Sequence, residues 1–345
     1  MSLIIHAPNV HQGGGRALLL ALLGSLKEGF VRQVILDARL RLDRELPLYV
    51  RVERASPTIV GRLMAEWRLR RLVCAGDTVL CFGNLPPLFP VRARVIVYIQ
   101  NRYHVNRDEA GSFPAAVRLR LWFEHRWFDL GRSRVDKFIV QTPSMQRDVE
   151  QQLGIHAQVL PFVNAASSYV RRVPPGRLPG IRRYDFLYVA SGEPHKNHAR
   201  LVEAWCRLAE KGHRPKLCLT LSPETAPELC RWIEKRKHEL ALQIEIVGVV
   251  GDNDLAGLYQ AAGALIYPST FESFGLPLIE ARQAGLPIVA AELDYVRDVV
   301  DPEESFDPLS AFSIARAVQR FMGKTENELG ILDAATFLHR VVDRT

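Results

Sequence analysis

The chain has 345 residues, of which 48% are hydrophobic and 24% are charged, and these fractions exclude disordered, collagen-like and disulfide-rich small proteins. Its net charge of +7 is uneven, because residues 1–170 carry 23 Lys and Arg against 14 Asp and Glu, whereas residues 171–345 carry 22 against 24. A basic first half indicates either an anionic partner or a solubilising surface.

The first half alternates short apolar runs with longer amphipathic ones, which predicts a parallel β-sheet covered by helices on both faces. Strands are expected at Leu3–Ile5, Gln33–Asp37, Tyr49–Glu53, Thr78–Phe82, Arg94–Gln100 and Lys137–Gln141. Helices are expected at Arg16–Leu26, Thr58–Arg71, Phe113–Leu130 and Ser144–Leu153. Residues 1–170 are therefore predicted to form one Rossmann-like domain.

The segment Val170–Arg183 contains three prolines and two glycines without any periodicity, which predicts a linker over residues 171–183. The alternation then resumes. Strands are expected at Tyr184–Ala190, Lys216–Leu221, Gln243–Val247, Ala264–Tyr267 and Pro287–Ala290. Helices are expected at Ala199–Lys211, Ala226–His238, Asp254–Ala262, Leu276–Ala284 and Ala311–Phe321.

This second alternation predicts a Rossmann-like domain over residues 184–325, followed by a helix or tail over residues 326–345. The whole chain is thus expected to be an α/β protein with two doubly wound domains that face a cleft.

The expected compartment is the cytoplasm. No apolar run reaches the roughly 18 residues that a membrane-spanning helix needs, and Met1–His6 is expected to be a strand rather than the start of a signal peptide. The five cysteines include no Cys-x-x-Cys pair, which is typical of a reduced compartment.

The most informative segment is Tyr267–Ala290, which predicts a strand, a polar loop and a helix with Ser273 as its N-cap. The N–H groups at the start of such a helix, together with its dipole, make a site for phosphate. Three residues would offer these groups: Phe274, Gly275 and Leu276. Glu272 and Glu280 bracket the helix start and are expected to accept hydrogen bonds from ligand hydroxyls.

The string from Glu272 to Glu280 resembles the Glu-x7-Glu signature of glycosyltransferase family 4, a large family of retaining enzymes with the GT-B fold. The resemblance implies that Glu272 contacts the donor sugar and that Glu280 contacts the nucleotide ribose. The intervening amides, including that of Ser273, would hold the pyrophosphate. The match continues through Glu292–Asp298 and Phe306–Pro308.

The resemblance implies transfer of a hexose, mannose or similar, from a GDP- or UDP-linked sugar to a glycan or lipid-linked acceptor. The chain is similar to sugar transferases of bacterial lipopolysaccharide and O-antigen synthesis. The nucleotide-diphosphate sugar is a substrate, and neither a cofactor nor a metal ion is expected. The oligomeric state is not predicted.

A second informative segment is the turn that follows the first strand of the second half. A lysine at this position can reach into a cleft and neutralise phosphate charge. The resemblance assigns Lys196 to the basic turn of the family, with His195 and Asn197 beside it on the donor. The arginine of that turn is replaced by Ala190 and Ser191, so either His195 or another arginine would supply a second positive charge.

In two segments of the first half, a predicted strand is followed by residues suited to bind a ligand. The three glycines within Asn9–Arg16 allow close backbone approach and positive φ, and the resemblance puts Gly14 and Gly15 near the donor phosphate. A polar cluster ends the fifth predicted strand, at the sheet edge where α/β proteins bind ligands. Within it, Asn101 is expected to bind the donor, and His104 is expected to be catalytic together with Glu272 and Lys196.

The string Asp252-Asn253-Asp254 matches the pattern of a metal-bound nucleotide sugar, but helix N-capping explains it better. The resemblance instead puts the Gly248–Val250 loop, and thus Val249, near the nucleotide base. The sequence contains no zinc-ligand set, P-loop or nucleophile elbow.

The segment Phe113–Arg134 combines Trp122, Phe123, Trp127 and Phe128 with several arginines. Two interpretations stand: an interfacial helix that contacts anionic lipid, or an amphipathic helix whose aromatic side chains face the core. Val60–Val73 is a similar, weaker candidate for an interfacial helix.

Two other functions fit a basic two-domain chain. One is a GT-B type nucleotide-sugar epimerase, which cleaves without a separate acceptor. The other is a nucleic-acid-binding protein, but the sequence contains no recognisable module of that kind, and nucleic acid is not an expected partner.

Overall fold

The computed structural model describes residues 2–26, 31–42, 45–106, 115–163 and 182–324, together with Gly29. The predicted linker over 171–183 lies outside the described residues except for Arg182 and Arg183, and the predicted tail over 326–345 lies outside them entirely. The described residues form two separate parallel β-sheets with helices between the strands. The predicted α/β architecture with two Rossmann-like units is confirmed.

The first sheet has seven described strands in the order β3-β2-β1-β4-β5-β6-β7. The strands are β1 (Leu3–Ala7), β2 (Val31–Asp37), β3 (Arg51–Ala55), β4 (Thr78–Cys81), β5 (Arg94–Tyr98), β6 (Lys137–Val140) and β7 (Ala157–Val159). The helices are α1 (Gly13–Gly24), α2 (Ile59–Leu72), α3 (Ala115–Gly131) and α4 (Pro143–Leu153).

The second sheet has six strands within residues 182–324, in the order β10-β9-β8-β11-β12-β13. The strands are β8 (Tyr184–Tyr188), β9 (Leu217–Leu219), β10 (Ile244–Ile246), β11 (Ala262–Tyr267), β12 (Ile288–Ala291) and β13 (Glu304–Phe306). The helices are α5 (His198–Glu210), α6 (Pro227–Leu240), α7 (Asp252–Ala261), α8 (Leu276–Gln283), α9 (Asp294–Arg297) and α10 (Ala311–Phe321).

Both sheets are buried on their two faces, as parallel sheets require. In the first unit, Leu19 of α1 packs with Ile5 of β1 on one face, and Leu69 of α2 packs with Val79 of β4 on the other. In the second unit all six residues of β11 are buried, which is why that strand has an uninterrupted apolar sequence.

The strand order of each sheet reverses direction at one point, and such switch points form crevices at the carboxyl ends of the strands. In the first sheet the switch lies between β1 and β4, and in the second it lies between β8 and β11. The segments that follow β1, β8 and β11 are three of those that the sequence singles out for the ligand, and the others follow β5 and β10. The topology therefore brings distant motifs to two crevices.

Three short elements were not predicted: β7, β13 and α9, each of three or four residues. Such lengths are too short to produce a recognisable period of hydrophobic residues. Helix α1 begins at Gly13 rather than at Arg16, so the predicted glycine loop is instead the first helical turn. Gly13 has the positive φ of +64° that was expected of this segment.

Helix α7 begins at Asp252 and its N-cap is Gly251, so the predicted capping role of the aspartates is wrong. None of the helices in the described part of the chain is both long and apolar enough to cross a bilayer.

Candidate active site between the two units

A cavity of about 1080 Å³ opens between the two units at the carboxyl ends of both sheets. The first unit contributes Gln12–Gly15, Leu18, Gln100 and Gln141. The second unit contributes Val189–Pro194, Lys196, Thr220, Ser222, Thr225, Val249, Val250, Leu255, Tyr267 and Glu272–Pro277. A cavity of this size suits a ligand of several linked groups.

An ion pair between Lys196 and Glu272 lies in this cavity. The Lys196 Nζ is 2.6 Å from Glu272 Oε1, and the two side chains are only 16% and 12% exposed. The Tyr267 hydroxyl donates to the same Glu272 oxygen at 3.0 Å. The structure therefore brings together Lys196 and Glu272, two of the three residues predicted to be catalytic. Each follows one of the two strands at the switch point.

Three buried tyrosines surround the loops that carry this ion pair. Tyr188 donates its hydroxyl hydrogen to the Lys196 carbonyl at 2.6 Å, and Tyr295 donates to the Ser269 carbonyl at 2.7 Å. Burial, followed by the nearby Glu272 charge, raises the pKa of Tyr188, Tyr267 and Tyr295 well above the ordinary value. All three hydroxyls therefore stay protonated near neutral pH and act as hydrogen-bond donors.

These tyrosines are not predictable as site residues from the sequence. Tyr188 and Tyr267 end apolar strands, and a tyrosine there has the same sequence signal as any aromatic core residue. Only the position of Tyr188 and Tyr267 at the carboxyl ends of the strands of the switch point could have drawn attention to them.

Helix α8 starts in the wall of the cavity. Its N-cap is Gly275, with φ of +69°, so the prediction of Ser273 as the N-cap is wrong. A left-handed conformation costs most residues about 1–2 kcal/mol, and glycine avoids this cost. All four residues from Ser273 to Leu276 line the cavity, in a position where a helix start can bind an anion.

The turn that carries Lys196 is a 3-10 helix over Pro194–Lys196. The His195 carbonyl accepts hydrogen bonds from Thr270 N at 2.8 Å, Ser269 Oγ at 3.1 Å and Thr270 Oγ1 at 3.2 Å. The Lys196 turn is thereby fixed to the loop that carries Glu272.

Asn197 also holds this turn instead of lining the cavity. Its Nδ2 donates to the carbonyls of Pro268 at 3.1 Å and Pro308 at 2.7 Å. The residue has φ of +60°, a conformation that asparagine tolerates better than most residues. The predicted direct contact of Asn197 with the donor is corrected to a supporting role, because its amide hydrogens point at the backbone.

Of two other residues predicted to bind the donor, one lines the cavity and one does not. Val249 lines the cavity and is 82% exposed. Glu280 is not among the lining residues, and its Oε2 accepts a hydrogen bond from the Tyr259 hydroxyl at 2.9 Å. Its contact with a ribose stays a prediction.

The first unit brings Gly14 and Gly15 to the cavity as expected. A Cβ atom on Gly14 would lie 3.2 Å from Leu276 Cδ1 of α8, so the small residue lets the two helix starts approach closely.

Asn101 and His104 do not line the cavity, and these two predictions are corrected. The Asn101 side chain accepts a hydrogen bond from Tyr103 N at 3.0 Å and so caps a 3-10 turn over Arg102–His104. His104 is 3% exposed, with its Nε2 at 3.6 Å from Glu124 Oε2. Its ring packs within the first unit, where it cannot reach a ligand in the cleft.

The second positive charge does not come from His195. Burial, and then the charge of Lys196, lowers the pKa of the His195 ring, which is therefore neutral near neutral pH. Among the described residues that line the cavity, Lys196 is the sole Lys or Arg. The described residues also contain no group of three or more His, Cys, Asp and Glu arranged to hold a metal ion.

Several contacts join the two units beside the cavity. Thr142 Oγ1 donates to the Ser273 carbonyl at 3.3 Å, and Ser144 N donates to Asp298 Oδ2 at 2.8 Å. The Arg102 guanidinium lies 4.7 Å from the centroid of the Phe271 ring. The loop between β11 and α8 is thus in contact with the first unit.

Comparison with known proteins agrees with this geometry. Residues 180–330 match the family described as "Glycosyl transferases group 1". The O-antigen chain mannosyltransferase B of Escherichia coli is 34% identical over 144 residues, which cover 39% of this chain and 37% of that protein. The serotype-specific mannosyltransferase WbdA of Escherichia coli is 30% identical over 145 residues, 41% of this chain and 17% of that protein. The chain thus spans well under half the length of these curated relatives.

Solved structures match over nearly the whole chain. Anabaena HepE, in complex with UDP and glucose, has a TM-score of 0.66 at 15% identity, over 93% of this chain and 90% of that one. WaaG, a glycosyltransferase involved in lipopolysaccharide biosynthesis, has a TM-score of 0.64 at 17% identity, over 94% and 90%. The chain has the GT-B fold of these proteins, and its second unit is similar to the glycosyl transferases group 1, in agreement with the resemblance of the Glu272–Glu280 string.

Proposed function

We propose that the protein is a retaining glycosyltransferase that moves a hexose, mannose or similar, from a nucleotide-diphosphate sugar to a glycan or lipid-linked acceptor of a bacterial cell-surface polysaccharide. The observation that carries this proposal is the Lys196–Glu272 pair beside the start of helix α8. The similarity to two mannosyltransferases supports the choice of sugar.

The chemistry requires stabilisation of a leaving phosphate and a fixed position for the acceptor hydroxyl. Lys196 and the N–H groups at the start of α8 supply positive potential where negative charge develops on the leaving oxygen. Glu272 is a carboxylate able to accept hydrogen bonds from the sugar hydroxyls. The positive charge thus comes from a side chain and from backbone amides, and the proposed reaction needs no metal ion.

In the proposed step the acceptor oxygen attacks the anomeric carbon from the face that the phosphate leaves. The carbon–oxygen bond to the phosphate breaks as the new glycosidic bond forms, and the leaving phosphate oxygen takes the acceptor proton. This route retains the anomeric configuration. It also needs no separate general base, in agreement with a cavity whose described acidic residues, Glu193 and Glu272, both belong to the donor-side unit.

A panel of nucleotide sugars tests donor binding. We expect a GDP- or UDP-linked hexose to raise the thermal unfolding midpoint by several degrees, because a ligand at 100 times its Kd stabilises the folded state by about 2.7 kcal/mol. The measurement is a thermal shift with UDP-, GDP- and ADP-sugars. Lys196→Ala is the matched variant, and its shift should be clearly smaller. An unchanged midpoint with every sugar would contradict the proposal.

We infer further that the protein works at the inner face of the cytoplasmic membrane, on an acceptor held there. Large apolar side chains are exposed on two helices of the first unit: Ile59, Val60, Leu63, Met64 and Trp67 on α2, and Leu119, Trp122, Phe123 and Leu130 on α3. The two helices are in contact, because the Arg62 guanidinium lies 5.0 Å from the Trp127 ring centroid.

Arginines accompany these apolar side chains, with Arg70 and Arg71 exposed on α2 and Arg118 and Arg126 exposed on α3. Exposed apolar and basic side chains on one helix pair suit the boundary between the headgroups and acyl chains of an anionic bilayer. The core interpretation of α3 holds for one of its aromatic side chains, and the exposure of two others supports the lipid-contacting interpretation. Phe128 is buried in the core, whereas Trp122 and Phe123 are 52% and 60% exposed.

Vesicle binding tests this surface. We expect the protein to co-sediment with phosphatidylglycerol vesicles at low salt, and the double variant Trp122→Ser and Phe123→Ser to bind at least tenfold more weakly, since each buried aromatic side chain contributes about 1.5–3 kcal/mol. Leu309→Ser is the control, because Leu309 is 72% exposed on the second unit. Equal binding of the double variant and the wild type would contradict the inference.

A further inference from the structure

A short turn of the first unit reaches across the cleft to the loops that carry Lys196 and Glu272. This is the 3-10 turn Arg102–His104. The Tyr103 hydroxyl lies 3.0 Å from His195 Nδ1, and the Tyr103 ring lies 4.8 Å from the Phe271 ring, measured between centroids. His195 precedes Lys196, and Phe271 precedes Glu272, so this one tyrosine contacts the neighbours of both residues.

The turn is held firmly within its own unit. Asn84 Oδ1 accepts hydrogen bonds from Gln100 N at 2.6 Å and from Asn101 N at 2.9 Å. On its other side, His125 Nε2 of helix α3 lies 2.9 Å from the Tyr103 carbonyl oxygen. Tyr103 is therefore presented by a fixed backbone rather than by a free loop.

The contact on the opposite side is equally well defined. The His195 ring has a lowered pKa because of burial and then the charge of Lys196. A neutral imidazole with an unprotonated Nδ1 accepts a hydrogen bond from a phenol. The His195 carbonyl, in turn, is held by Ser269 and Thr270, so a shift of His195 would move both site loops together.

We propose that Tyr103 is a positioning residue: its hydroxyl, through His195, sets the Lys196–Glu272 pair against the first-unit wall of the cavity. The inference rests on the proposed function. The donor contacts proposed for Lys196, Glu272 and the start of α8 lie on the second unit and form without Tyr103, whereas correct juxtaposition of donor and acceptor requires this contact between the units. Tyr103 therefore acts on turnover more than on donor affinity.

The test begins with Tyr103→Phe, which removes the hydroxyl and keeps the ring on Phe271. We expect kcat to fall about fivefold, the effect of one neutral hydrogen bond, with the KM for GDP-mannose or UDP-glucose changed less than twofold. Tyr49→Phe is the matched control, because its hydroxyl donates to the Leu26 carbonyl, at 3.3 Å, within the first unit. An unchanged kcat, or a KM effect alone, would overturn the assignment.

A double-mutant cycle separates positioning from general damage. His195→Phe removes the nitrogen that faces Tyr103. If the two residues act through one contact, the double variant has a kcat no lower than that of the poorer single variant. Independent effects that multiply would show that Tyr103 does not act through His195.

Hydrogen exchange measured by mass spectrometry distinguishes failure of this inference from failure of the proposed function. In the ligand-free protein, Tyr103→Phe should exchange faster in peptides that contain Lys196 and Thr270, which requires no activity. Addition of GDP-mannose or UDP-glucose should protect the same peptides in the wild type. Absence of protection by either sugar would count against the proposed function, whereas unchanged exchange in the ligand-free variant would count against the role of Tyr103.

Discussion

Lys196→Ala is expected to lower the rate of sugar transfer by about a hundred- to a thousandfold, the range found when one electrostatic contact to a transition state is removed. The physical reason is the composition of the cavity. Lys196 is the sole cationic side chain among the described residues that line it. Without Lys196, the amides of helix α8 alone would face the negative charge of the leaving phosphate.

The measurement is kcat and kcat/KM for transfer, with circular dichroism and thermal unfolding to show that the variant is folded. Lys235→Ala is the matched control, because Lys235 is a lysine whose Nζ lies 3.8 Å from Glu239 on the exposed surface of α6. Its activity should equal that of the wild type. Glu272 is the other partner of the ion pair. Glu272→Gln keeps the shape of its side chain and removes its charge, and this variant should also lose transfer activity. Near-normal turnover of Lys196→Ala in a folded protein would reject the assignment.

The order of the main elements was predictable because their packing leaves a clear sequence pattern. Strand β11 is buried along its whole length and is a continuous apolar run. Helix α10 was predicted with its observed ends, Ala311 and Phe321. In that helix two sequence signals, a serine N-cap and one apolar face, indicate the same boundaries. Ser310 accepts a hydrogen bond from Ser313 N, and the buried residues recur at helical spacing.

The site was predictable where it is local and not where it depends on tertiary contact. Glu272 and the start of α8 are adjacent in sequence, so their common role can be inferred from one segment. The ion pair of Lys196 with Glu272 joins residues 76 positions apart, and only the strand order brings them together. His104 was misjudged because a histidine after a strand gives the same signal whether it faces the cleft or the core.

The Ser273 error has a different cause. Serine is a common N-cap, but the chain enters α8 through the left-handed conformation of Gly275. Sequence shows that a glycine is present, and it does not show which residue adopts the positive φ. The helix therefore begins two residues later than its best capping side chain suggests.

Glu66→Ala is expected to destabilise the protein by about 3–5 kcal/mol, the cost of breaking a buried ion pair by removal of one partner. The Glu66 side chain is fully buried, with His6 Nε2 at 2.8 Å and Arg62 Nε at 3.4 Å from its Oε1. Its other oxygen accepts a hydrogen bond from Leu88 N at 3.0 Å. Alanine would leave these three groups buried without the carboxylate that pairs them.

Urea unfolding measures this effect. Glu203→Ala is the matched control, because Glu203 pairs at 2.6 Å with Arg200 and both side chains are 44% exposed. Such a surface pair contributes no more than about 1 kcal/mol. Equal losses in the two variants would show that the buried network has no special part in holding α2 on the sheet.

The pH dependence gives the sign of the Glu66 contribution. Burial alone would raise the pKa of the Glu66 carboxyl, but His6, Arg62 and the Leu88 N–H outweigh burial and hold the pKa below its ordinary value of 4.5. The unfolded chain therefore takes up the proton first as the pH falls. The stabilisation is complete at neutral pH, and it is lost as the pH falls below 4.5 and through the lower pKa of the folded state. The difference in unfolding free energy between the wild type and Glu66→Gln should thus narrow in acid, and a difference that grew there would contradict the ionised state of Glu66.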